Sequence, residues 1–255
     1  MRIERRELLH LLGLGGLAAG GSSWLTGCGS TPTDTVPGAP APCEDDWWLC
    51  SNYAPVDESE AFDLKVTGTI PSSLRGLYAR NGANPQSGQS DHWFSGDGMV
   101  HGVRLEQGKA LWYRARYVQT DLLGKPADMQ GVPGGGNHQA NTSVIAWQDE
   151  LLCLAEVGLP YRLDKGDLST LGTSNFNGAL NGAMTAHPKF DPSTGELLFF
   201  GYGLFSPSVD YYAVDAKSGD IHKHENIVLP NAVMMHDFQV TQNFAVFMDL
   251  SLIHI

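Results

Sequence analysis

Apolar and polar residues alternate with a period of two over much of the chain, the pattern of strands that bury one face. The alternation is plainest at residues 64–70 and 111–118. Shorter strand-like runs follow at 143–147, 151–156, 196–202, 211–215 and 244–249. Turn chemistry separates them: Glu106-Gln107-Gly108, then 191–195 and 215–220, each opened by an aspartate and carrying a glycine. Beyond the first residues no stretch holds a helical period. Many short strands joined by tight turns predict an all-β sandwich, barrel or propeller. The meander rhythm favours a propeller, although no blade repeat such as a Trp-Asp signature is visible.

The beginning of the chain breaks this pattern. Arg5-Arg6 precede an apolar run, 8–17, which gives way to small residues, Ala18 to Gly21. The run is too short and glycine-rich to span a bilayer and reads as an export signal, similar to a twin-arginine leader. Leu25-Thr26-Gly27-Cys28 resembles a lipobox, in which Cys28 would carry lipid; the other reading is a plain cleaved signal. Residues 29–42, rich in Pro, Ser and Thr, read as a tether. The expected organisation is a leader over 1–28, the tether over 29–42 and a globular part from 43 to 249. Its expected location is the bacterial periplasm or cell envelope, with a possible membrane tether at Cys28. Cys43 and Cys50 either close a small disulfide loop there or stay as two thiols. Cys153, inside an apolar run, reads as a core residue.

Composition narrows the partners. The 255 residues are 42% hydrophobic and 17% charged, enough for a sizeable core. A net charge of −12 argues against a nucleic-acid partner, because phosphate binding needs a Lys/Arg surface.

The candidate chemistry lies in nine histidines. His10 belongs to the leader. His222 and His224 sit in a polar stretch and read as a solvated hairpin. His92, His101 and His138 read as structural hydrogen-bonders. His187 ends an apolar stretch before a proline, and His236 lies among apolar residues at a strand start. Both positions suit an imidazole aimed from a strand end into a protected centre. Two histidines do not make a metal site, so a core-histidine reading stands beside the ligand reading.

Three blocks change that balance. The first is 76–85, GLYARNGANP, followed by 92–102, HWFSGDGMVHG. The second is 154–161, LAEVGLPY. The third joins Thr185-Ala186-His187-Pro188-Lys189 to Phe200-Gly201-Tyr202 and Met235-His236-Asp237-Phe238. In this order, over about residues 63–250, the chain resembles the carotenoid cleavage oxygenase family. The resemblance implies a seven-bladed β-propeller with Fe2+ on its axis, held by four histidines. His187 matches the first ligand and His236 the second. Glu156 matches a carboxylate that supports a ligand imidazole, and pairs with His236. Thr142 falls beside the open iron position.

The implied reaction joins O2 to an apolar substrate and cleaves a conjugated C=C bond of a carotenoid or apocarotenoid into two carbonyls. Stilbene-cleaving relatives resemble a second block with Lys before the Glu; Ala155 here favours the carotenoid side. Two other readings are an isomerohydrolase, which a bacterial export signal disfavours, and a propeller lipoprotein that binds a ligand without chemistry. The resemblance also implies that two ligands lie beyond residue 255, so this length of chain is expected neither to bind iron tightly nor to turn over. The tail 250–255 resembles translated sequencing-adapter sequence, and His254 is therefore not counted as a ligand.

Overall fold

The computed structural model describes residues 46–125, 138–203 and 205–248. The chain divides into two units, 1–39 and 40–255, and every described residue belongs to the second. The leader, the tether, Cys43 and the tail 250–255 thus lie outside the described residues. Cys50 is disulfide-bonded.

The described part is all-β, with two single 3-10 turns, Trp47–Leu49 and Ser51–Tyr53. The first antiparallel sheet contains β1 (Ser59–Phe62), β2 (Gly76–Ala83), β3 (Gly98–Glu106) and β4 (Lys109–Tyr117), in the order β1-β4-β3-β2. The second is a simple meander of β5 (Ser143–Trp147), β6 (Glu150–Leu154), β7 (Tyr161–Asp164) and β8 (Thr170–Thr173). A third meander follows: β9 (Lys189–Phe190), β10 (Leu197–Tyr202), β11 (Ser208–Val214) and β12 (Ile221–Val228). The pair β13 (Phe238–Val240) and β14 (Ala245–Phe247) forms a fourth, two-stranded sheet.

The period of two explains how these sheets stack. On β6, Leu152 and Leu154 enter one apolar cluster with Leu197, Phe199 and Tyr212 of the third sheet. Leu151 and Cys153, pointing the other way, pack with Val100 of the first sheet. β10 repeats this: Leu197 and Phe199 face the second sheet, while Leu198 and Phe200 pack on Phe238 and Phe247. Each middle sheet is therefore buried on both faces, and its second strand reads as a continuous apolar run. Phe199 stacks on Phe176 and on Tyr212, with ring centres 5.4 and 4.9 Å apart.

One expectation needs correction. Residues 64–70 form no strand. The N–H groups of Asp63 and Leu64 still donate to β4, but Asp63 adopts a left-handed φ of 48° and Gly68 one of 88°, and the chain turns off the sheet. The paired strand is β1, just before, whose four residues are all exposed and show no alternation. His222 and His224 lie on strand β12 of the antiparallel β11–β12 hairpin and are about half exposed, as expected, with 215–220 as the turn.

Candidate metal centre

The site gathers at the ends of the second, third and fourth sheets. His187 stands two residues before β9, His236 two before β13, and Glu156 two after β6. Thr142 stands immediately before β5.

Close backbone approach makes this placement possible. The Ala183 carbonyl packs against Gly201, in a position that any Cβ would occupy. The Thr185 N–H can then donate to the Phe200 carbonyl at 2.7 Å, which lays the segment before His187 along β10. Thr185 is fully buried, and its hydroxyl accepts the His187 N–H at 3.2 Å. Gly98 plays the same part for the segment before Thr142: its face meets the Ala140 carbonyl, and its N–H donates to Gln139 at 2.7 Å. Both glycines belong to the blocks noted in the sequence.

Glu156 is the hub. Its Oε1 lies 2.9 Å from His236 Nδ1 and 3.5 Å from His187 Nε2. The two imidazole rings meet edge to face, 4.6 Å between centres. One donor atom from each of the three residues falls within 4.8 Å of the others. Neither carboxylate oxygen, nor His187 Nε2, has a hydrogen-bond partner of proper geometry, although all three atoms are buried. Buried polar atoms are normally satisfied, so three converging orphans leave a place for a bound partner such as a cation. Two imidazoles and a carboxylate are a donor set that suits ferrous iron and its divalent neighbours. His236 Nδ1 faces the carboxylate, so its Nε2 remains for a metal.

The electrostatics agree. Burial pushes the Glu156 carboxyl up to about 7, against the opposing pull of His236. Burial, reinforced by His236, lowers the pKa of His187 and keeps its ring neutral, the form that ligates. The Asp237 carboxyl is held low: burial would raise it, but the Lys189 ammonium at 2.7 Å and the Phe238 N–H outweigh that.

Thr142 is exposed; its hydroxyl donates to Asn141 Oδ1 at 3.3 Å and its N–H to the Leu154 carbonyl, two positions before Glu156. The other described histidines lie elsewhere. His92 Nδ1 accepts the Phe94 N–H, His101 Nδ1 meets the Tyr113 hydroxyl at 2.8 Å, and buried His138 bridges Leu159 and Ala140. Sequence reasoning passed over Tyr202. Its hydroxyl is buried without a partner, and burial together with the Glu156 charge raises its pKa. Its place in the third block was the available signal.

Residues 53–254 match the sequence profile of the family described as RPE65, retinal pigment epithelial membrane protein. A carotenoid cleavage oxygenase of Mycobacterium tuberculosis is 40% identical over 207 residues, covering 77% of this chain and 41% of that protein. The crystal structure of Pseudomonas brassicacearum lignostilbene dioxygenase superposes with a TM-score of 0.68 at 35% identity, over 76% of this chain and 45% of that one. A cobalt-substituted Synechocystis apocarotenoid oxygenase (ACO) gives 0.65 at 27% identity, over 76% and 47%. The chain spans less than half the length of these relatives. With residues 53–254 matched, and with this all-β architecture shared, the chain belongs to the RPE65 and carotenoid cleavage oxygenase family.

Proposed function

We propose that this chain is part of a seven-bladed propeller enzyme, a Fe2+-dependent dioxygenase that cleaves a conjugated C=C bond of a carotenoid or apocarotenoid into two carbonyl products. The observation that supports this best is the convergence of His187, His236 and Glu156 with three buried, unpartnered polar atoms. His187 and His236 would hold the iron through Nε2. When bound, iron supplies the one-electron chemistry that lets O2 react with a closed-shell alkene.

The protein's own groups prepare that chemistry. With iron bound, Glu156 Oε1, 2.9 Å from His236 Nδ1, would take its N–H, which would fix the tautomer, orient the ring and raise the basicity of Nε2. Burial lowers the pKa of His187 and so favours the neutral ring, whose unpartnered Nε2 would serve as the ligand atom. Thr142, leading into β5, borders the open position. No charged side chain replaces buried Ala155 beside Glu156, which suits an apolar substrate.

A stilbene-cleaving dioxygenase is the second reading, supported by the similarity to the lignostilbene enzyme. The test is to load the complete gene product with Fe2+ and incubate it under O2 with apocarotenals and with stilbenes. Aldehydes from apocarotenals support the first reading and aldehydes from stilbenes the second; none from either removes both. Export and lipidation at Cys28 belong to the same proposal, and a cell-grown protein that takes up no labelled fatty acid would contradict the lipid anchor.

A further inference from the structure

The sheets share no backbone ladder with one another, yet their edge strands bring Thr142, His187 and His236 to one end of the fold. Apolar stacking between sheets is non-directional and sets their relative offset only coarsely. Three side chains, through four hydrogen bonds, are among those that cross between successive sheets at this end, and each lands beside a site residue. Asn81 on β2 donates to the carbonyls of Ala140 and Ser143, at 2.6 and 3.0 Å, on either side of Thr142. Ser143 on β5 donates its hydroxyl to the Ala186 carbonyl at 2.6 Å, one residue before His187. Lys189 on β9 donates to Asp237 at 2.7 Å, one residue after His236.

We propose that Ser143 and Lys189 are positioning residues, which lace the second sheet to the third and the third to the fourth and so fix His187 against His236, with Asn81 seating Ser143 from the first sheet. The inference rests on the site reading given above. Its reach follows from rigidity on both sides of each bond. Ala186 and His187 move as a unit, because the His187 N–H is tied to buried Thr185 and Thr185 is tied to β10. Asp237 is likewise stiff: its Oδ1 accepts both the Lys189 ammonium and its neighbour's N–H from Phe238. A sub-ångström slip of one sheet along the next is enough to spoil a ligand pair, since sites of this kind need their groups within about half an ångström.

The test reads the ring pair directly in the full 255-residue chain without metal. Histidine-labelled protein is compared by NMR for the through-space cross-peak between the His187 and His236 rings, whose centres lie 4.6 Å apart. Ser143→Ala and Lys189→Met are expected to lose at least half of its intensity. Ser143→Thr, which keeps the hydroxyl, is expected to restore it. Leu163→Val, a core truncation in the second sheet remote from the lacing, should leave it intact. An undiminished cross-peak in Lys189→Met and Ser143→Ala overturns the proposal, and so does an equal loss in Leu163→Val. Where Ser143→Ala does not fold, Ser143→Cys and Lys189→Met carry the same decision. The metal reading is scored separately by Co2+ titration. A cross-peak that responds as expected in a chain that takes up no Co2+ leaves the lacing standing and removes the metal.

Discussion

Two histidine–carboxylate groups in this molecule look alike by distance and differ in everything else. On the outer strand β12, His222 lies 2.7 Å from Glu196 and His224 lies 2.8 Å from Asp210. At the sheet ends, His236 lies 2.9 Å and His187 3.5 Å from Glu156. The outer carboxylates have other partners: Glu196 accepts the Thr194 hydroxyl, and Asp210 accepts the Asn226 amide. His224 also stacks flat on Tyr212, 4.5 Å between ring centres. Glu156 has no satisfied oxygen, and it is shared by two rings. A short His–carboxylate distance therefore says little about function. Convergence of several donors with unmet valences is what marks the centre.

The sharpest way to break this comparison is to offer both places a metal. Co2+ added to the 255-residue chain should broaden the ring signals of His187 and His236 at concentrations that leave His222 and His224 unchanged. The affinity is expected to be modest, because the described residues bring together two imidazoles and one carboxylate, fewer donors than a closed four-coordinate site. His187→Ala should abolish the selective broadening at His236. Equal broadening at all four rings would dissolve the distinction drawn above. A smaller effect is expected from Glu156→Gln. The amide keeps the shape but loses the charge that holds His236, and support groups of this kind are worth roughly 10–100-fold in metal affinity. A titration in which Glu156→Gln binds Co2+ as tightly as the parent would assign the carboxylate a packing role only.

The next contrast lies between the centre and buried His138. This ring is fully satisfied: Nε2–H donates to the Leu159 carbonyl at 2.6 Å, and Nδ1 accepts the Ala140 N–H at 3.0 Å. Only the neutral ring can do both. Burial lowers its pKa from the ordinary 6.5. Below pH 6.5 the unfolded chain thus takes up a proton that the folded one refuses, until the folded value is reached. The stability contributed by His138 is complete above 6.5 and is lost as pH falls through that window. Urea unfolding from pH 8 to pH 5 should show this decline, and His138→Ala should remove that component of it. The variant should also lose on the order of 1–3 kcal/mol for each backbone group left without a partner. An unchanged slope in His138→Ala would mean that other groups carry the acid sensitivity.

The sequence carried most of the architecture because the physics of these strands is local. Runs such as Leu151-Leu152-Cys153-Leu154 and Leu197 to Tyr202 are apolar on both faces, and the stacking of sheets is the reason. The turn 215–220 was legible because Asp215 accepts the N–H groups of Lys217 and Ser218, and Gly219 takes a left-handed φ of 75°. Strand β1 was not legible: it is fully exposed and is held by pairing with β4, a partner some fifty residues away. At the centre, His187, His236 and Glu156 were reached through the motifs around them, and their convergence needed three dimensions. Lys189 sits in the third block, but nothing local marks its role, and nothing local marks Ser143 at all. Their partners belong to other sheets, so neither alternation nor spacing announces them.

The least effect is expected on β12, and it is the control on which the comparison depends. His222 and His224 are about half exposed, with side-chain accessibilities of 47% and 51%. Exposed pairs of this kind contribute about 0.2–1 kcal/mol, and many contribute nothing measurable. His222→Ala leaves Glu196 with the Thr194 hydroxyl and with water, so no buried group is orphaned. The unfolding free energy should shift by about 0.5 kcal/mol or less. His224→Ala should cost slightly more, because the stacked face of Tyr212 is uncovered as well. A double-mutant cycle of His222→Ala with Glu196→Gln isolates the pair, and a coupling above about 1 kcal/mol would show that this outer group is more than surface pairing. A coupling near zero, set beside a Glu156→Gln variant that binds its metal more weakly, would show that the same two residue types at similar distances do different work because only one pair is left wanting a third partner.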